Sequence, residues 1–243
     1  RPDDSAGKPL ALSAPGRLLR QVAALFGQRL TADAALALIK HPLVFSGAGA
    51  EFGRGQHLIL AREYELYLRR HGPAFPTAES LADWAGHSGL AGAGHWAAIL
   101  GAALSGQEVV AEQPLAGFLS RHLTLVETLA RGFAETGSGT LWDKEAGQKA
   151  QEVMAELQSV ADAGGMMSPA DYSSLLRGLL DQAEVREAEA LHPAIMIWGT
   201  LEARVQGAEL VILGGLNDGT WPATPAPDPW LNRAMRKAAG LLL

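Results

Sequence analysis

At 243 residues the chain can bury a sizeable core, either as one large domain or as one domain with part of another. With 48% apolar and 19% charged residues it reads as globular; no apolar run nears the roughly 20 residues of a membrane span, and no signal-peptide pattern opens it. A cytoplasmic protein with no membrane partner is expected, and the lack of cysteine excludes disulfides, thiolate metal sites and a thiol nucleophile within the chain.

The net charge of −6 is unevenly spread: residues 1–70 carry ten Lys/Arg against six Asp/Glu, residues 71–193 six against sixteen, and residues 194–243 four against four. A surface that grips phosphates must be basic. Nucleic-acid contacts are therefore expected in the first third or the last fifth, unless the charge pattern is simply that of solvated helix faces.

Most of the chain reads as helices separated by Gly, Pro and Ser. In Pro15 to Phe26 the residues Leu18, Leu19, Val22, Leu25 and Phe26 recur at helical spacing. Thr31 then offers an N-cap, with Asp33 in the first turn, for a helix that Pro42 stops. Arg54 to His71 predicts a longer helix with Leu58, Ala61, Glu65 and Leu68 on one face, closed by Gly72-Pro73. Thr77 opens another helix through Trp84. A glycine-rich interval with no phosphate-binding pattern precedes a helix from Trp96 to Leu104.

Gln113 to Ala134 predicts a long helix with Leu115, Phe118, Leu119, His122, Leu123, Val126 and Leu129 inward. The next follows Thr140 and buries Trp142, Ala146, Val153, Leu157 and Val160, ending at Gly164-Gly165. Ser168-Pro169, a cap followed by proline in the first turn, starts a helix with Leu175, Leu176, Leu179 and Leu180 inside. Beyond Pro193 the texture changes. Ala194 to Trp198 and Glu209 to Leu213 read as short buried strands, Trp221 to Pro229 as a proline-rich loop and Trp230 to Ala239 as a basic helix.

No residue pattern here fits a catalytic site. Asp143, Lys144 and Glu145 match a metal-nuclease signature only superficially, because they fall on a helix with no strand before them. The seven histidines show no tight ligand spacing, and Gly137-Ser138-Gly139 lacks the spacing of a nucleophile elbow. No G-x-x-x-x-G-K-[ST] loop is present to cradle ATP phosphates, so neither a bound cofactor nor a catalytic residue is expected in the chain itself. Four tryptophans, Trp84, Trp96, Trp142 and Trp198, read as core.

The stretch HPAIMIWGTLEARVQGAELVILGGLNDGTWPATPAPDPW, from His192 to Trp230, is the most specific in the chain. Its core, VILGGLNDGTWP, resembles the strand and loop of the second motor domain in superfamily 1 helicases related to RecB. LSAPGRLLRQVAALFGQRLT, IKHPLV and RGQHLILAREYELYLRRHGPAFP resemble the AddB family of the alphaproteobacterial type. The resemblance implies a mainly α fold: a helical insertion body over residues 1–190, then a small α/β segment of a RecA-like motor domain over residues 191–243, as a fragment of a larger protein. It also implies a role in double-strand DNA break repair. The partners would be DNA and an AddA-type helicase-nuclease subunit, and ATP and a divalent metal such as magnesium would belong to the parent complex, a hydrolase. The chain departs from a working motor, since Arg204, Val205, Gln206 and Gly207 stand where the family carries Lys-Gly-Leu-Glu.

By this resemblance Asn217, Asp218 and Trp221 form a DNA-facing or hotspot-reading loop, with Trp221 stacking on a base. The alternative is a tight turn whose Trp221 and Trp230 fill the core. Arg17, Arg20 and Arg54, with Arg62, Arg69 and Arg70, can line a phosphate-tracking face, and Arg204 joins the DNA-facing set. Two other readings stay open. One is a self-contained helical adaptor that binds protein through the acidic middle; the other is a small metal-dependent hydrolase.

Overall fold

The structure is a computed structural model that describes residues 3–4, 7–185, 196–199, 203, 207–217, 219 and 230–241. The chain is mainly helical and divides into two units, residues 1–197 and 198–243. In the first unit eight α-helices follow one another among the described residues: α1 Ala14–Ala23, α2 Ala32–Ile39, α3 Arg54–Arg70, α4 Ala78–Ser88, α5 Ala93–Leu104, α6 Leu115–Arg131, α7 Lys144–Ser159 and α8 Pro169–Gln182.

Their starts follow local chemistry. Ser13, Thr31, Thr77 and Ser168 each accept a hydrogen bond from a first-turn backbone N–H, satisfying one of the donors that a helix leaves unpaired. At Thr77 and Ser168 the bond is reciprocated by Ser80 and Asp171, so both ends are boxed. The turn between α4 and α5 needs two left-handed residues, and glycine supplies both, Gly89 at φ 65° and Gly92 at φ 75°.

Among the described residues six two-residue strands tie distant parts of the first unit together. β1 (Asp3–Asp4) pairs in parallel with β6 (Met196–Ile197), β2 (Lys8–Pro9) antiparallel with β5 (Glu184–Val185), and β3 (Gln113–Pro114) antiparallel with β4 (Met166–Met167). The β2–β5 pair fastens the chain's start to the end of α8. It leads into a 3-10 turn, Leu10–Leu12, whose Leu10 and Ala11 are buried.

α1 can lie against this turn only because residue 16 is glycine: a Cβ there would stand 2.0 Å from the Leu10 carbonyl oxygen. Gly16→Ala should destabilise the fold by about 3 kcal/mol, since backbone rather than a flexible side chain must yield. Equilibrium urea denaturation measures this, and a loss below about 1 kcal/mol would mean that the turn and α1 move apart freely.

One continuous apolar core fills the first unit, with two aromatic groups inside it. Phe26, Phe118, His122 and Tyr172 bring α6 and α8 together with the residues after α1; Phe118 and Tyr172 stack with centroids 4.8 Å apart. Phe45, His57, Tyr64, Trp84 and Trp96 join α3, α4 and α5.

Several expected faces are turned. In α3 the inward residues are His57, Leu60, Ala61, Tyr64 and Leu68, while Leu58 is 48% exposed. Leu58, Ile59, Leu60 and Ala61 are consecutive apolar residues, so periodicity alone cannot choose among them; the aromatic group decides. In α6 Leu125 is buried and Leu123 only half-buried. In α7 Val153 and Leu157 are buried as expected, together with Ala150 and Met154, but Trp142 and Ala146 are half-buried and Val160 is exposed.

In the second unit, α9 (Arg233–Ala238) is a short basic helix capped by Asn232, and none of its residues is buried. The strand expected over Glu209 to Leu213 is not formed: Leu210, Val211, Ile212 and Leu213 lie outside any strand and are 61–84% exposed. A β-branched run becomes a buried strand only where neighbouring strands take up its backbone hydrogen bonds, and the described residues supply none here. Among the described residues of the earlier apolar run Met196–Ile197 is extended and paired, and Trp198 is 42% exposed rather than core. Trp230 is also exposed, and the loop Trp221 to Pro229 lies outside the described residues.

Candidate nucleic-acid interface

Residues Arg17, Arg20, Gln21 and Ala24 are spaced by three and four, which places them on one face of α1 and its first following residue. This face meets Ser173, Ser174 and Arg177 of α8 across an open cleft of about 360 Å³. Three guanidinium groups therefore share one polar recess whose lining contains no carboxylate. Arg17 and Arg177 are both exposed, and Arg17 is anchored by donating to the Leu12 carbonyl at 3.1 Å. Guanidinium forks matched with serine hydroxyls suit a phosphate or another oxyanion.

Of the arginines expected at a DNA-facing surface, Arg17 and Arg20 come together in this way. Arg54 does not line the cleft; it donates to the Val44 carbonyl at 2.6 Å and is half-buried, and burial lowers its pKa. Arg69 donates from both Nε and Nη2 to Glu65 Oε1, and Lys40 donates to the other oxygen, Oε2, at 2.8 Å. Those bonds, Lys40's first, hold the Glu65 carboxyl below its ordinary range, and both cations are spent on it. Asn217 is exposed in a turn where its N–H donates to the Gly215 carbonyl at 2.7 Å. Arg204, Asp218 and Trp221 lie outside the described residues.

Arg177 was not singled out from the sequence because it falls in the acidic middle. A signal existed in the polar face Ser173-Ser174-x-x-Arg177 beside the buried Leu176 and Leu180, but only the α1–α8 contact gives that face a partner.

Three buried histidines form a second set of polar groups. His57 stacks on Phe45 at 4.6 Å; its Nε2 lies 3.0 Å from the Ile39 carbonyl and its Nδ1 accepts from the Trp96 indole N–H at 2.9 Å. An indole can only donate, so Nδ1 is unprotonated and Nε2 carries the proton. Burial, opposed by the bond to Ile39 and aided by the Arg54 charge, lowers the His57 pKa to about 4.

His122 pairs through Nδ1 with the Tyr172 hydroxyl at 2.6 Å, and its buried Nε2 has no hydrogen-bond partner among the described residues. Burial lowers its pKa to about 3. His41 is lowered to about 4 by burial and then by the Arg17 and Arg54 charges, which places both arginines in its neighbourhood. These are neutral core imidazoles rather than ligands.

Among the described residues no group of three or more His, Asp or Glu side chains is placed to hold a metal ion. Asp143, Lys144 and Glu145 are exposed at the start of α7. No helix among the described residues is long and apolar enough to cross a membrane. Comparison with protein-family models, with characterised proteins and with solved structures finds no match to this chain.

Proposed function

We propose that the chain is a non-catalytic, helicase-like segment of the AddB type in double-strand DNA break repair, and that it helps to channel DNA by holding its phosphates. The observation that carries this reading is the cleft between α1 and α8, where Arg17, Arg20 and Arg177 converge with no carboxylate in the lining. The likeness of VILGGLNDGTWP to a motor-domain strand and loop supplies the family. On this reading the AddA-type subunit is the partner.

Titration of the chain with a labelled single-stranded oligonucleotide tests it. Three phosphate contacts predict that affinity falls about twentyfold between 50 and 200 mM salt, from a slope of roughly −0.7 per contact. Arg177→Glu, at an exposed position that holds no hydrogen bond or ion pair with the described residues, should weaken binding about tenfold and flatten the salt slope. Binding that ignores salt, or an Arg177→Glu variant that binds like the parent, rejects the cleft as a DNA contact.

The second reading, a protein-binding adaptor, is favoured by one observation, the exposed apolar segment from Leu210 to Leu216. Contiguous apolar surface of this kind marks sites that another surface covers. It predicts negligible DNA affinity at either salt concentration.

A further inference from the structure

The cleft between α1 and α8 is too short to follow the backbone of a strand. Proteins that track single-stranded nucleic acid line a groove with positive charge over several nucleotides. Here α1 supplies Arg17 and Arg20, α8 supplies Arg177, and neither helix carries another Lys or Arg. The two α1 guanidinium groups are held on one wall, Arg17 donating to the Leu12 carbonyl at 3.1 Å and Arg20 to the adjacent Ala11 carbonyl at 3.5 Å. Beyond Arg20 that face continues into the uncharged Gln21 and Ala24.

On the other wall the positive charge is closed off at both ends. Asp171, Ser174, Arg177 and Asp181 recur at three- and four-residue spacing, so they share one face of α8. Asp181 is exposed about 6 Å along the helix axis from Arg177. Asp171, on the opposite side, is kept ionised by its bonds to Ser168 at the helix cap. A backbone passing straight through the cleft sets a phosphate on either side of the one that is held, and along α8 those places belong to carboxylates. A strand end has a neighbour on one side only.

We infer, resting on the reading of this cleft as a phosphate contact, that it holds the terminal phosphate of a DNA strand and not a run of phosphodiesters inside one. A phosphomonoester carries a charge of about −2 near neutral pH and three free oxygens, where an internal diester carries a single charge. Guanidinium forks converging from two walls match such a compact dianion, each fork pairing with its oxygens. Together with the first diester it presents three charges, one for each arginine, so the salt dependence expected above is kept.

Fluorescence anisotropy with the full chain tests the inference by comparing three forms of one internally labelled oligonucleotide, phosphorylated at the 5′ end, at the 3′ end or at neither. At least one phosphorylated form should bind about tenfold more tightly than the bare strand, and the end that does so gives the polarity. Arg177→Glu should remove that preference. Asp181→Lys, which extends the positive charge one turn along α8, should tighten the bare strand about threefold and shrink the preference; it keeps the test decisive if the Arg177 variant fails to fold. Equal, salt-dependent binding of all three forms overturns the inference and leaves the cleft as a DNA contact, whereas absent or salt-insensitive binding of every form overturns both. A preference that survives Arg177→Glu, or that Asp181→Lys leaves untouched, also overturns it.

Discussion

Lowering the pH from 7.5 to 5 should reduce the unfolding free energy by about 5 kcal/mol, long before the carboxylates titrate. The cause is the set of buried neutral imidazoles: His57 and His41 with pKa values lowered to about 4, and His122 to about 3. In the unfolded chain each recovers an ordinary value near 6.5. Below that pH the unfolded state binds a proton that the folded state refuses, so stability rises with pH and falls on acidification. The contribution is complete above pH 6.5 and is lost steadily as the pH drops towards 4, where the folded imidazoles themselves begin to protonate.

At pH 5 this amounts to ~2 kcal/mol each for His57 and His122. For His41, whose depression owes part to guanidinium charges that salt screens, ~1 kcal/mol is the fitting figure. Against a typical total of 5–15 kcal/mol such a loss brings the protein near its limit. Glu65 and Asp171, held below their ordinary range by Lys40 and Ser168 respectively, act only at lower pH and do not blur the window. Urea denaturation at the two pH values measures the effect, and a difference below about 1 kcal/mol would show that the imidazoles are hydrated in solution.

Replacing Trp96 by alanine should cost about 5 kcal/mol, the largest single-residue effect expected here. The side chain is fully buried and its ring meets Phe45, His57, Tyr64 and Trp84, so truncation leaves a cavity at the junction of α3, α4 and α5. Loss of so large an aromatic side chain accounts for roughly 3–5 kcal/mol. The variant also strips His57 Nδ1 of its donor, leaving a buried acceptor bare at a further cost of about 1–3 kcal/mol.

The two effects separate experimentally. Trp96→Phe keeps most of the volume but not the indole N–H, so it should lose about 2 kcal/mol. Both variants should also show a weaker dependence of stability on pH, because Nδ1 no longer needs to stay unprotonated to accept from Trp96. Unfolding midpoints at pH 7.5 and 5 read both quantities. An unchanged pH dependence would mean that burial alone, not the indole, keeps the imidazole neutral.

The arginine cleft was half legible in the sequence. Arg17 and Arg20 stand three apart on a helix whose apolar stripe was evident, so their common face followed from spacing. Arg177 lies 157 positions after Arg20 and joins them only because α1 packs against α8. Arg54 and Arg69 looked equivalent to Arg17 as charges, and they differ because Arg54 is half-buried against Val44 and Arg69 is paired with Glu65, whereas Arg17 stays exposed.

By itself the sequence determined where three of the helices begin: the hydroxyls of Thr31, Thr77 and Ser168, the last followed by Pro169, act within one turn of backbone. The ends were less legible, since α4 runs on to Ser88 past the Trp84 that the sequence suggested. Only the tertiary structure decided which side of each helix turned inward, as with His57 and Tyr64 in place of Leu58. The same holds for the run Leu210–Leu213, which found no strand partner among the described residues. Burial is settled by what lies opposite, and a helix or strand carries no local record of its neighbour.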